Sequence, residues 1–161
     1  ARAPALEKRW RLPRRARRQP APASARPAVT GYLLDTDISS YIIRRRPTKV
    51  RDRFRSLGGD GLAISAVTEA ELRYGAARHP ARPEILMDVE DFLDRLVVRE
   101  WDRAAALHYA EIRAHVERAG KPVGNMDLMI AAHARSLGAV LVTNNQRHFR
   151  HLPGLAVENW T

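Results

Sequence analysis

The chain predicts an α/β domain whose central sheet is short, mostly parallel and flanked by helices. Three observations carry this. From residue 31 onward, short apolar runs alternate with longer segments of helical period. The apolar runs are continuous rather than alternating, Ala139–Thr143 most clearly, which is the pattern of strands covered on both faces. At 161 residues with no internal repeat there is room for one domain with a proper core, not comfortably for two.

Taken in order, Tyr32–Asp35 reads as the first strand. A helix is expected through Ser39–Arg45, stopped by Pro47. A second short helix is expected over Lys49–Leu57, closed by Gly58-Gly59. Gly61–Ser65 reads as strand two, with Ser65 as N-cap of a helix over Ala66–Arg78. A helix over Pro83–Leu96 then leads into a brief strand at Val97-Val98. Asp102 caps a long helix reaching Ala119, ended by Gly120-Lys121-Pro122. Asn125 is expected to cap the helix Met126–Leu137, which Gly138 terminates before the Ala139–Thr143 strand. Asn144–Phe149 turns away from that strand, and Leu155-Ala156-Val157 is a candidate edge strand.

The formal net charge of +10 is concentrated at one end. Residues 1–28 hold nine Lys/Arg against Glu7 alone, together with five of the ten prolines. Such a stretch cannot bury enough apolar surface to offset the entropy of ordering. Residues 1–30 are therefore expected to be a disordered basic arm. It either attracts nucleic acid phosphates without specificity or is not native to the protein, and no function is rested on it. Residues 31–161 form the expected folded domain. The absence of cysteine excludes disulfides and thiolate zinc sites. No run approaches 18 apolar residues and the amino-terminal stretch lacks a signal-peptide core, so a soluble, cytoplasmic chain with no membrane partner is expected.

The chemistry is carried by acids at strand ends. Leu33 and Leu34 are hard to expose and Asp35 is hard to bury, so a half-buried charge there calls for a cation or an array of donors. Carboxyl ends of parallel strands are also where α/β sheets hold their ligands. Glu71 lies two turns into the helix after strand two, beside Val67, Ala70, Leu72 and Tyr74. Asp127 occupies a first helical turn, where the dipole favours its ionised form. Asn144 and Asn145 follow the Ala139–Thr143 strand directly. If the strands are parallel neighbours, all four segments open onto one sheet edge. Crowded carboxylates raise one another's pKa, and a divalent cation removes that penalty. Hard oxygen donors without histidine or thiol point to Mg2+ or Mn2+. Such a site activates water for phosphodiester hydrolysis. Taken singly each acid has an innocent reading: Asp35 as an N-cap, Glu71 as a solvent-facing helix residue, Asp127 as a dipole partner.

Four ordered motifs carry a resemblance. They are Leu34-Asp35-Thr36-Asp37, then Ser65 through Gly75, then Val123 through Ala134, then Val142-Thr143-Asn144-Asn145 followed by Phe149. This set closely resembles the PIN-domain ribonuclease toxins of the VapC type, over residues 31–161. The resemblance implies a PIN-like fold, with the family's acids falling on Asp35, Glu71 and Asp127 as catalytic residues. Asp35 and Asp127 would then hold the metal directly, with Glu71 and Asn145 acting through water. Thr143 falls on a supporting hydroxyl, and Asp37 and Asn144 are further supporting residues. The departure is Asn145, where many relatives have aspartate; an amide oxygen adds no negative charge, which bears on whether one metal or two are held. The resemblance further implies a Mg2+- or Mn2+-dependent endoribonuclease that cuts selected RNA. It implies a homodimer and a cognate antitoxin whose C-terminal segment lies across the acidic pocket.

Arg44-Arg45-Arg46 and Arg73 are candidate contacts to RNA phosphates, weighed against the ordinary reading of basic runs as solvated faces. His133 reads as structural, and Trp101, Tyr109, Trp160, Met126 and Met129 as core or dimer packing. Two other functions compete. A phosphatase of the haloacid dehalogenase type would use Asp35 as nucleophile and Asp37 as acid, but the late strand leads into two asparagines instead of an acidic pair. A catalytically silent RNA-binding module is the other alternative, suggested by Asn145.

Overall fold

A computed structural model describes residues 31–59 and 61–161; the basic arm expected over 1–30 lies outside the described residues. In chain order the elements are β1 (Tyr32–Leu34), α1 (Thr36–Arg44), α2 (Thr48–Ser56), β2 (Leu62–Ser65), α3 (Ala66–Ala77) and α4 (Arg82–Leu93). They continue with β3 (Val97–Arg99), α5 (Arg103–Arg118), α6 (Asn125–Ser136), β4 (Val140–Val142), α7 (Gln146–Phe149) and β5 (Val157–Glu158). The strands form one sheet in the order β3-β2-β1-β4-β5, and every pairing is parallel.

The two-sided burial expected of the apolar runs follows from the two-residue period of a strand. On one face Leu34, Leu62, Ile64 and Val142 join α1, α2 and α4 through Ile38, Ile42, Phe54 and Phe92. On the other, Leu33, Ala63 and Leu141 join α5 and α6 through Ile112, Val116, Leu128 and Ile130. Leu33, Leu34 and Leu141 are fully buried. Truncating any of them to alanine would cost about 2–5 kcal/mol.

Register decides where function can sit. Leu34 pairs with Ile64 and with Val142, so the next residues, Asp35, Ser65 and Thr143, stand level at the carboxyl edge of the three central strands. The opposite edge is held by a close backbone approach. Tyr32 N donates to the Gly61 carbonyl at 2.8 Å, and a Cβ on Gly31 would collide with that same oxygen. Gly138 adopts φ +62° in the turn from α6 into β4, a conformation an L side chain resists.

Local differences from expectation have simple causes. α1 starts at Thr36, three residues early, because Asp35 itself caps it, accepting from Thr36 N at 2.7 Å. Asn125 is the first residue of α6 rather than its cap; Gly124 takes the cap position without a side-chain bond. The edge strand β5 is Val157–Glu158, shifted toward the terminus. Tyr74 and Met126, grouped with apolar or packing positions, are 65% and 46% exposed. Ser65 and Asp102 do cap α3 and α5. His133 is buried with Nδ1 2.9 Å from Ser65 Oγ, a structural role.

Candidate active site

Asp35 is placed by two demands on one residue. It ends β1, donating its N–H to the Val142 carbonyl at 2.9 Å, and it opens α1 as the cap. This leaves the residue 5% exposed, with Oδ1 accepting from Thr36 N and Oδ2 accepting from Thr143 Oγ1 at 2.9 Å. Burial, and then the charges of Asp37 and Asp127, raise its pKa to about 7 against the pull of those two donors. Asp37, in the first turn of α1, accepts from Ile38 N at 2.5 Å and Asn144 N at 3.1 Å. Its pKa is also raised, by burial first and by Asp127 in addition.

Asp127 comes in from the first turn of α6 and is half-buried. Its charge raises the pKa of both Asp35 and Asp37, so three acids from two segments of chain act on one another electrostatically. Glu71 reaches the same edge differently. Its Oε2 accepts a hydrogen bond from Thr36 Oγ1, so it is joined to the Asp35 cap through the adjacent threonine. Thr143 Oγ1 donates to Asp35 and accepts from Asn145 N at 3.0 Å, which fixes the turn after β4. Asn144 carries the wall outward: its Nδ2 donates to Tyr41 OH at 3.3 Å, and its Oδ1 accepts from Thr161 Oγ1 at 3.0 Å.

Two residues of this edge were not singled out by sequence reasoning. His148, on α7, sits with Nδ1 2.8 Å from Asn145 Nδ2 and 3.4 Å from Asp127 Oδ2. The spacing Asn145-x-x-His148 on a short helix was its only signal. Thr36 was masked by its neighbours in the acidic run. Arg73, expected as a phosphate contact, lies on α3 and faces acids of its own chain. Its guanidinium donates to Glu69 at 2.7 Å and to Glu90 at 2.5 Å, tying α3 to α4. Arg44 and Arg46 are exposed beside the α1–α2 turn, and Arg45 forms that turn with φ 61°.

Among the described residues no group of three or more carboxylate or imidazole side chains is gathered closely enough to hold a metal ion. The donor set nonetheless fits a hard divalent cation. Asp35 is buried and Asp37 partly so, burial opposes the charge of both, and the carboxylates of Asp35, Asp37 and Asp127 offer hard oxygen donors, with the His148 ring nitrogen beside them. Mg2+ needs only one or two carboxylates directly and keeps several waters, so a pre-closed cage is not required.

Comparisons with known proteins bear on the fold and the family. The PIN-domain family profile matches residues 32–155. The chain is 44% identical over 130 residues to the tRNA(fMet)-specific endonuclease VapC of Shigella flexneri, covering 81% of this chain and 98% of that protein. The DNA-bound VapBC structure from Salmonella typhimurium superposes with a TM-score of 0.78 at 42% identity, covering 82% of this chain and 99% of that one. VapBC-5 of Mycobacterium tuberculosis, from the VapBC family of toxin-antitoxin systems, superposes at 0.61 with 31% identity, covering 83% and 98%.

Proposed function

The chain belongs to the PIN-domain family, and within it to the VapC ribonucleases, and on that premise we propose that it is the endoribonuclease toxin of a toxin–antitoxin pair, cutting RNA with the help of Mg2+ or Mn2+. The observation that carries the reading is Asp35: a carboxylate buried at a strand end beside Asp37 and Asp127, with a pKa lifted to about 7. Such a charge is costly to the fold, because burial and the neighbouring acids outweigh its two hydrogen bonds. A bound divalent cation supplies Lewis acidity toward a phosphoryl oxygen and lowers the pKa of a water beside it.

In this reading Asp35 and Asp127 hold the cation, and Glu71 and Asn145 bear on it through water. Thr143 and Thr36 keep the carboxylates of Asp35 and Glu71 in place by hydrogen bonding, which lowers the reorganisation needed during reaction. Glu71 is positioned to accept a proton from the attacking water. Asn144 fixes Asp37 and extends the wall toward the arginines of the α1–α2 turn. The membership leaves little for the phosphatase alternative, whose fold and later acidic pair are both missing from the match.

The partners follow the same premise. An antitoxin whose C-terminal segment lies across the acidic pocket fits a site that needs positive charge and is open at the sheet edge, and the VapBC neighbours support such a partner. A homodimer and a cytoplasmic location complete the reading. Among the described residues no helix is long and apolar enough to cross a membrane.

The test is cleavage of a panel of structured RNAs, tRNAs included, with Mg2+ or Mn2+ and with chelator. Metal-dependent cutting that disappears in Asp127→Asn while RNA binding persists is the expected result. Cutting that survives chelation would overturn the metal mechanism, and no cutting of any RNA under any metal would leave only the silent binding module.

A further inference from the structure

A cleft of about 740 Å3 opens where α1 turns into α2, lined by Tyr41, Arg44, Arg46, Pro47 and Thr48. Its size is that of an ordinary small-ligand site, roughly 300–1,000 Å3. The chain builds it by a sharp reversal. α1 ends with Arg45 in the left-handed region (φ 61°), its N–H and that of Arg46 returning to the carbonyls of Ile42 and Tyr41, each at 3.1 Å. The reversal lets Arg44 and Arg46, two residues apart, line the same cleft. Among the described residues neither makes an ion pair with the chain's own acids, whereas Arg51, Arg53, Arg73, Arg113 and Arg135 all do.

The cleft is wired to the acidic edge. Tyr41 packs its ring partly against the core and accepts from Asn144 Nδ2 at 3.3 Å, and Asn144 N donates to Asp37. One fixed aromatic ring, one proline and two unanswered guanidiniums therefore stand two hydrogen bonds away from an acid of the cleavage site. We propose that this cleft is a nucleotide subsite for the RNA substrate, taking one unstacked nucleotide that flanks the scissile phosphate. Its base lies on Tyr41 and Pro47, and its phosphate meets Arg44 and Arg46.

The chemistry matches on both counts. Unstacked RNA bases bind by stacking on aromatic rings, and guanidinium recognises phosphate with paired hydrogen bonds. A strand crossing the acids to be cut must leave that edge somewhere, and this is the cationic exit joined to it. An acidic peptide would satisfy the arginines but leaves the ring and its fixed orientation unused. The proposal rests on the RNA-cleaving reading, and it assigns a role to the arginines that the acids alone do not require.

The test measures binding, so that it does not depend on cleavage. A fluorescent single-stranded RNA oligonucleotide is titrated into the full chain with chelator present, and its anisotropy is read at several salt concentrations. Arg44→Ala/Arg46→Ala and Tyr41→Ala are each expected to weaken binding about tenfold or more. The double arginine variant should also flatten the salt dependence, since phosphate contacts release counterions. Tyr41→Phe, which keeps the ring, should recover most of the affinity, and Arg118→Ala on α5 should change nothing. Should Tyr41→Ala fail to fold by circular dichroism, the exposed arginine pair alone decides. Parental affinity in that pair overturns the subsite, as does a loss confined to a competing acidic peptide, which would make the cleft a protein-docking site. The two readings fail separately: RNA binding through the cleft without metal-dependent cutting sinks the nuclease and leaves the subsite. Cutting with unaltered binding in the variants does the reverse.

Discussion

Thr143 Oγ1 donates to Asp35 Oδ2 at 2.9 Å, joining the ends of β4 and β1 across 108 positions of sequence. Both side chains are buried, and the same hydroxyl accepts from Asn145 N. One atom thus steadies the central carboxylate and the turn that carries the asparagines. Thr143→Val removes the hydroxyl with little change in shape and leaves the buried Asp35 carboxylate and the partly buried Asn145 N–H each short of a partner. Loss of about 1–3 kcal/mol of stability is expected, read by denaturant titration. A 10–100-fold drop in metal affinity or cleavage should accompany it, and Thr143→Ser should restore most of both. Equal stability in the valine and serine variants would show that the hydroxyl carries nothing.

The raised pKa of Asp35 makes a prediction about metal-free stability. Its folded value is about 7 and its ordinary value 3.8, so between these the native state binds a proton that the unfolded chain releases. With more protons on the native state, stability falls as pH rises through that window. The full cost is on the order of 4 kcal/mol above pH 7. Asp37 shifts in the same direction and adds to the trend. With chelator present the Tm should therefore decline from about pH 4 to pH 7, and millimolar Mg2+ should remove the decline by binding the ionised form. A flat Tm profile with chelator would contradict the burial of Asp35 as a charge.

Asp35→Asn separates function from fold. Asparagine caps a helix as well as aspartate does, so α1 should start where it does now. The substitution removes the buried charge and the repulsion with Asp37 and Asp127. Cleavage should fall at least about 100-fold while the metal-free protein at pH 8 gains roughly 1–3 kcal/mol, a trade of stability for activity. Mg2+ should no longer raise the Tm of this variant.

What was legible in the sequence is what depends on local pattern. Continuous apolar runs such as Val140–Val142 announced two-sided strands, and Ser65 and Asp102 announced their caps, because both signals are written within a few residues. That Asp35, Ser65 and Thr143 stand at one edge was legible as well, since a parallel sheet carries strand ends to one edge. The partners of each acid were not. Glu71 meets Thr36 across 35 residues and His148 meets Asp127 across 21, and side-chain pairing over such distances leaves no local spacing to read. Asn125 failed as a cap for a different reason: capping residue types are preferred at a position, and Gly124 could take it without a side chain.

Arg73 illustrates the same limit and can be tested directly. It is one arginine shared by Glu69 and Glu90, on groups 41%, 26% and 50% exposed. Solvent screening keeps the worth of such pairs to about 1 kcal/mol or less. Arg73→Ala should lower the Tm by no more than about 4 °C. RNA affinity should stay within about twofold, because the guanidinium is already spent on the α3–α4 contact. A tenfold loss of RNA binding with unchanged Tm would return Arg73 to the RNA-contacting surface.

Asn145 is the place where charge can be added. Its backbone N–H is held by Thr143 Oγ1 and its side chain faces His148, which in turn lies 3.4 Å from Asp127 Oδ2. Asn145→Asp keeps the size and the backbone bond and brings a fifth carboxylate to the edge, beside Asp35, Asp37, Glu71 and Asp127. Attraction between this added charge and a divalent cation, at the effective dielectric of a protein surface, amounts to a few kcal/mol before desolvation and leaves a gain of about tenfold in Mg2+ affinity. Without metal the same charge repels Asp127 and Asp35, so the variant should be less stable than the parent under chelator and more stabilised by Mg2+. Calorimetric titration of Mg2+ and paired melts read both effects. Weaker Mg2+ binding in Asn145→Asp would mean that the amide oxygen, and not a missing charge, is what the site uses at this position.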